Sequence, residues 1–172
     1  MSNYTVYLNS YSYPQGAMEV HFASGLLRKS LRTRIQEVLN GWVSPVAEFH
    51  NFSKSFKEHE HVVFHGGDTP TLLEYLRYDQ TWLNYLEGKT LWGFSAGVSA
   101  MAYRSFNVDH KRIITGMALI PYQTIVHYND SMEYMVNSLY QSCGLPVLAV
   151  PDRKAFKITV QGFYSKLEAV YD

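Results

Sequence analysis

The stretch Thr90-Leu91-Trp92-Gly93-Phe94-Ser95-Ala96-Gly97-Val98-Ser99-Ala100-Met101-Ala102-Tyr103 decides how this chain folds. Its first five residues are compact and apolar, as in a buried strand, and the small and apolar residues from position 96 to 103 suit a buried helix that begins at once. Parallel strands need a long crossover, usually a helix, so a strand that turns directly into a helix is the building unit of a parallel sheet. The same unit recurs on either side. Upstream, residues 5–8 read as a short strand that runs into the turn-prone stretch 9–16. Residues 25–39 carry apolar positions near helical spacing and stop at Asn40-Gly41, residues 46–52 read as a second strand, and residues 61–64 as a third. From Thr71, one apolar helical stripe holds Leu72, Leu73 and Leu76 and later Trp82, Leu83 and Leu86. Downstream, the apolar segments 113–120 and 146–150 flank a helix over 131–140, and residues 156–171 form a hairpin around Gln161-Gly162. The expected class is α/β, a mostly parallel sheet flanked by helices, with ligands held beyond the carboxyl ends of the strands.

Composition agrees and removes other classes. At 172 residues, positions 1–172 are expected to form a single α/β domain. Charged residues make up 17% and apolar residues 47%, enough for a sizeable core and unlike a disordered chain. Lys+Arg 15 balances Asp+Glu 15, so no basic surplus draws nucleic acid or an anionic membrane. The single cysteine, Cys143, excludes an intramolecular disulfide framework and a multi-cysteine zinc site and suits a reducing compartment, with the cytoplasm as default. The first residues lack the basic start and apolar core of a secretory signal, and no apolar run reaches the ~18 residues of a membrane span.

Gly93-Phe94-Ser95-Ala96-Gly97 fits the G-x-S-x-G nucleophile elbow, with the required strand before it and helix after it. A sharp turn there exposes the serine hydroxyl at the top of the sheet, and the Ala96 amide lies at the start of a helix, where an oxyanion is stabilised. The plain alternative is a tight strand-to-helix turn whose glycines serve packing. His65-Gly66-Gly67-Asp68-Thr69 also ends a strand before a helix. Its glycine amides suit a developing negative charge, although Asp68 or Thr69 as an ordinary N-cap explains the same residues.

A serine nucleophile needs a base, and of seven histidines His127 lies in a further strand-end loop, 120–129; a half-buried histidine beside Tyr128 is its plain reading. His59, His61 and His65 alternate along a strand and suit a divalent metal only if a polar strand start does not account for them. Cys143 lacks an elbow context and reads as a small, partly buried residue.

Taken in order, these motifs resemble the dipeptidase E and cyanophycinase family of serine peptidases, which have a class I glutamine amidotransferase-like, flavodoxin-like three-layer fold. The family's G-G-G-[ND]-T and leucine-rich helix correspond to His65–Thr69 with Leu72-Leu73, its G-x-S-A-G to Gly93–Gly97, and its proline-to-histidine segment to Pro121–Tyr128. The resemblance implies Ser95 as nucleophile, His127 as general base, and backbone amides of Gly66, Gly67 and Ala96 as the oxyanion hole. Pro151-Asp152-Arg153-Lys154-Ala155-Phe156 matches the family segment P-E-x-x-A-[LI], which makes Asp152 the triad acid, one methylene shorter than the usual glutamate; Asp109 is the alternative acid. It further implies hydrolysis of a peptide or isopeptide bond through an acyl-enzyme, a small peptide substrate, no cofactor, no metal, no nucleic acid and no membrane, and it allows a homodimer.

The departures are specific. The region before Val62 is short for the family, His65 replaces the first glycine, and 128–151 contains no Arg or Lys to hold a substrate carboxylate, so recognition of an acidic N-terminal residue loses its basis. A catalytically inactive member acting as a binding or scaffold protein is the alternative.

Overall fold

The computed structural model describes residues 2–22 and 49–171. Strands β1 (Asn3–Leu8), β2 (Met18–Phe22), β3 (His61–Gly67), β4 (Thr90–Gly93), β9 (Ala155–Gln161) and β10 (Tyr164–Val170) form a six-stranded sheet in the order β10-β9-β1-β4-β3-β2. Its four strands β1 to β4 run parallel, and the β9–β10 hairpin adds antiparallel to β1. A four-stranded sheet, ordered β6-β5-β7-β8, is built from β5 (Arg104–Asn107), β6 (Arg112–Thr115), β7 (Gln123–Val126) and β8 (Val147–Val150), with only β6 antiparallel. Helices α1 (Phe49–Glu58), α2 (Thr69–Tyr78), α3 (Ala96–Met101) and α4 (Glu133–Cys143), with 3-10 turns at Thr81–Tyr85 and Asp130–Met132, complete the described elements. The chain is therefore α/β with mostly parallel sheets flanked by helices. Among the described residues no helix is long and apolar enough to cross a membrane.

Alternation along the strands fixes the core. Val6, Leu8, Val62, Phe64, Leu91 and Ile158 point to one face of the larger sheet and are buried with Leu72, Leu73 and Leu76 of α2 and Val98 and Met101 of α3. The opposite face is aromatic, where Tyr7 stacks on Trp92 at 4.2 Å beside Val63, Phe94 and Tyr13. Short helix α3 is buried at every position and packs against β3 and β4 of one sheet and β5 and β7 of the other, so the two sheets meet across it.

Several local expectations are corrected. The helix over 25–39 and its stop at Asn40-Gly41 lie outside the described residues. The strand over 46–52 lies partly outside them, and its described part is the start of α1. Phenylalanines at 49, 52 and 56 recur at helical spacing, and Phe52 and Phe56 are buried with ring centroids 5.9 and 5.1 Å from Trp82. Strand β2 falls in a stretch without a strand expectation, since Met18 and Val20 alternate with Glu19 over only five residues. The single stripe from Thr71 to Leu86 is two elements. Helix α2 ends at Tyr78, Asp79 accepts the Thr81 amide at 2.9 Å, and a 3-10 turn, Thr81–Tyr85, follows and buries Trp82. Of the apolar segment 113–120 only residues 113–115 lie in a strand, β6. The rest caps α3: the amides of Met117, Ala118 and Leu119 donate to the carbonyls of Ala100, Ala102 and Met101, at 2.7, 3.2 and 2.8 Å. A buried helix end must satisfy its last carbonyls, and here a loop that looks like a strand does so.

Candidate functional site

The site forms where strand ends of the two sheets converge on the start of α3. Phe64 of β3 sits opposite Gly93 of β4, which brings Gly66 next to Ser95. Val126 of β7 sits opposite Val150 of β8, and the Tyr128 amide donates to the Val150 carbonyl at 3.2 Å, so His127 and Asp152 leave neighbouring strands on the same side.

Ser95 has φ 48° and ψ −110°, a conformation outside the left-handed well that costs about 1–3 kcal/mol and is retained only where the surroundings enforce it. They do. The Phe94 amide donates to Phe64 at 3.0 Å, Gly97 to Phe94 at 2.8 Å and Ser99 to Ser95 at 3.1 Å. A Cβ on Gly97 would stand 2.0 Å from the Phe64 carbonyl oxygen, so only glycine lets α3 lie this close to β3. A Cβ on Gly66 would lie 3.4 Å from Ser95 Cβ, which puts the Gly66 backbone against the serine. Gly67, at φ 145°, is drawn into pairing with Phe22 of β2.

Ser95 Oγ and His127 Nε2 are 2.9 Å apart, and His127 Nδ1 makes a short hydrogen bond with Asp152 Oδ1. His127 also has positive φ, 54°, and Tyr128 beside it donates to Glu133 at 2.7 Å, which ties this segment to α4. The His127 and Asp152 side chains are 59% and 71% exposed, so the pair is open to water and little packing holds it. A small cavity beside the three residues is also lined by Asn9, Val98, Val126 and Val150. Of the sequence candidates, then, the structure brings Ser95, His127, Asp152, Gly66 and Ala96 together. Asp109 is exposed in the turn between β5 and β6, outside these hydrogen bonds.

The remaining candidates separate. His59 Nδ1 bonds the Ser55 carbonyl at 2.7 Å, His61 Nδ1 accepts from Trp92 at 3.3 Å, and His65 bonds Glu19 at 2.9 Å while stacking on Phe94. Among the described residues no cluster of metal-ligating side chains forms. Cys143 is half-buried at the end of α4. Asp68 caps α2, accepting from the Thr71 amide at 3.0 Å and hydroxyl at 2.6 Å, with His110 Nε2 at 3.3 Å. Burial works to raise its carboxyl, but the bonds from Thr71 and His110 outweigh burial and hold it below the usual range. The sequence reading missed Asn9 as a lining residue; its position directly after a strand was the available signal.

The fold is shared with solved structures. A peptidase E candidate from Listeria monocytogenes EGD-e superposes with a TM-score of 0.62 over 99% of this chain and 100% of its own, at 17% identity. The fold is that of peptidase E. A peptidase from an acI-B1 Actinobacterium shares it, with a TM-score of 0.59, 15% identity and coverage of 98% of this chain and 96% of its own. At these identities the likeness to peptidase E is one of fold. No family model and no curated protein matches the chain.

Proposed function

We propose that the protein is a serine peptidase of the dipeptidase E type, cleaving a peptide or isopeptide bond of a small peptide through an acyl-enzyme at Ser95. The observation that carries this reading is the hydrogen-bonded chain Ser95–His127–Asp152 with the serine in a strained elbow. In the first half-reaction Ser95 Oγ attacks the scissile carbonyl carbon while His127 Nε2 takes its proton. Asp152 holds the imidazole with Nδ1 protonated and stabilises the imidazolium. The carbonyl oxygen, now negative, is met by backbone donors at Gly66 and Ala96, with Gly67 beside them. The C–N bond breaks as His127 returns the proton to the leaving amine, and water then attacks the acyl-enzyme by the same route. A cytoplasmic setting fits the single, unpaired cysteine.

The peptidase names of the two structural neighbours support the reaction class. The second reading, a non-catalytic binding or scaffold protein, is favoured by His65, whose side chain stands where the family has glycine and is bonded to Glu19. A fluorophosphonate probe separates the two. The peptidase reading expects stoichiometric labelling that Ser95→Ala abolishes while the circular-dichroism spectrum stays unchanged, together with loss of turnover by several orders of magnitude. Unlabelled wild-type protein, or turnover retained in Ser95→Ala, refutes it.

A further inference from the structure

We propose that Asn9 is a positioning residue that holds the Asp152 loop against His127; its bearing on rate rests on the peptidase reading, and its bearing on His127 does not. Asn9 directly follows β1, whose end lies beside the end of β4, and its amide nitrogen donates to the Gly93 carbonyl at 2.9 Å. Its side chain then reaches the other side of the site. Nδ2 lies 3.1 Å from the Pro151 carbonyl, 2.9 Å from that of Asp152 and 3.1 Å from that of Lys154. One amide group thus gathers three carbonyls of a single turn, closed otherwise by the Lys154 amide on Pro151 at 3.1 Å.

Little else holds this turn. Asp152, Arg153 and Lys154 are all exposed, and the Asp152 side chain is 71% exposed, so burial does not fix the carboxylate. The direction of the loop is set by its backbone, and the backbone carbonyls point at Asn9. The residue type fits both tasks. Asn9 sits at φ 61°, where asparagine is among the few non-glycine residues that are readily accommodated, and its two side-chain hydrogens can serve three acceptors only by sharing. Aspartate has the same shape and tolerates the same φ but has no hydrogen to donate. Among the described residues, Asn9, Ser95 and His127 are three of the five non-glycine positions with positive φ, and each stands at the end of a strand facing this cavity. Asn9 therefore joins the elbow strand to the acid loop, and through Asp152 it sets which ring nitrogen of His127 carries the proton.

The test compares wild type, Asn9→Gly, Asp152→Asn and the double variant, each checked by circular dichroism. Glycine keeps the backbone conformation and the bond to Gly93 and removes only the side-chain amide. The activity-independent readout is the nitrogen-15 shift of the His127 ring, which reports its tautomer. Wild type is expected as the Nδ1–H form, with Asn9→Gly shifted part of the way towards the tautomer ratio of Asp152→Asn. In turnover, Asn9→Gly is expected to lower kcat about 100-fold with KM unchanged, the scale of a ~1 Å misplacement, and to cost nothing further in the Asp152→Asn background. If Asn9→Gly does not fold, Asn9→Asp takes its place with the same expectation for the tautomer. A wild-type tautomer retained in the Asn9 variant, or no Nδ1–H preference in wild type, overturns the positioning role. A lost preference in a protein that hydrolyses nothing and takes no serine probe leaves Asn9 as the holder of Asp152 and refutes the peptidase reading alone.

Discussion

Replacing Gly97 by alanine tests whether the contact of α3 with β3 is as tight as the structure requires. Two effects oppose each other. Alanine is a better helix former than glycine by about 1 kcal/mol, so on propensity alone the variant gains stability. Against this, the new Cβ would stand 2.0 Å from the Phe64 carbonyl oxygen, 2.7 Å from its carbon and 2.9 Å from Phe64 Cβ. The first two atoms are backbone in a central strand, and ordinary contact needs more than about 3 Å, so the helix and strand must separate by roughly 1 Å. Overpacking of this kind costs about 1–3 kcal/mol and sometimes more. The same separation strains the Phe94-to-Phe64 hydrogen bond of 3.0 Å, a further ~1 kcal/mol. Sterics win, with a net loss of about 1–3 kcal/mol and a fall in Tm of roughly 2–12 °C for a chain of this size. Thermal and urea unfolding followed by circular dichroism measure it. An unchanged or raised Tm in Gly97→Ala would show that helix and strand are not in this contact.

Two further outcomes follow from the site. Asp152→Asn is expected to lower kcat by about four orders of magnitude, as amide replacement of a triad aspartate does, while Asp109→Asn leaves it near wild type. A severe loss in Asp109→Asn alone would reverse the choice of acid. Asp68, with its carboxyl held below the usual range by Thr71 and His110, contributes stability that is present above the unfolded carboxylate pKa of about 3.9 and is lost as pH falls through the lower folded value. The stability gap between wild type and Asp68→Asn, from urea titrations, should therefore be full at neutral pH and close below about pH 4; a gap constant with pH would refute the hydrogen-bond account.

How far the sequence is readable depends on whether a residue's environment is local. Thr90 to Met101 is legible because strand, turn and helix are contiguous and the glycines mark the turn. The ends of β3 and β8 are legible for the same reason, which is why the residue pattern alone places His65, Gly66 and Asp152 at strand ends. What fails is nonlocal. The segment 116–120 is apolar like a strand, but its amides are needed by the carbonyls of α3, a demand that only the packed chain reveals. The apolar start of α1 looks like a strand until Trp82 supplies the surface that Phe52 and Phe56 cover. Asn9 carries no motif at all, because its acceptors lie more than 140 positions away in sequence. The division into two sheets is likewise invisible, since each strand-and-helix unit reads the same whichever sheet it joins.

The position of β1 also sets an order of assembly. It lies between β4 and β9, with Asn3 opposite Gln161. A chain made from its N-terminus releases β1 first, yet β1 gains one neighbour only when residues 90–93 emerge and the other only with residues 155–161. Such long-range pairing is slow to form, and until it does β1 presents an open edge to other chains. The site follows the same schedule. A nascent chain that ends before residue 151 already contains Ser95 and His127, but it has no carboxylate at 152 and no carbonyls for Asn9 to gather, so the last member of the hydrogen-bonded chain arrives together with the strand that covers the second edge of β1.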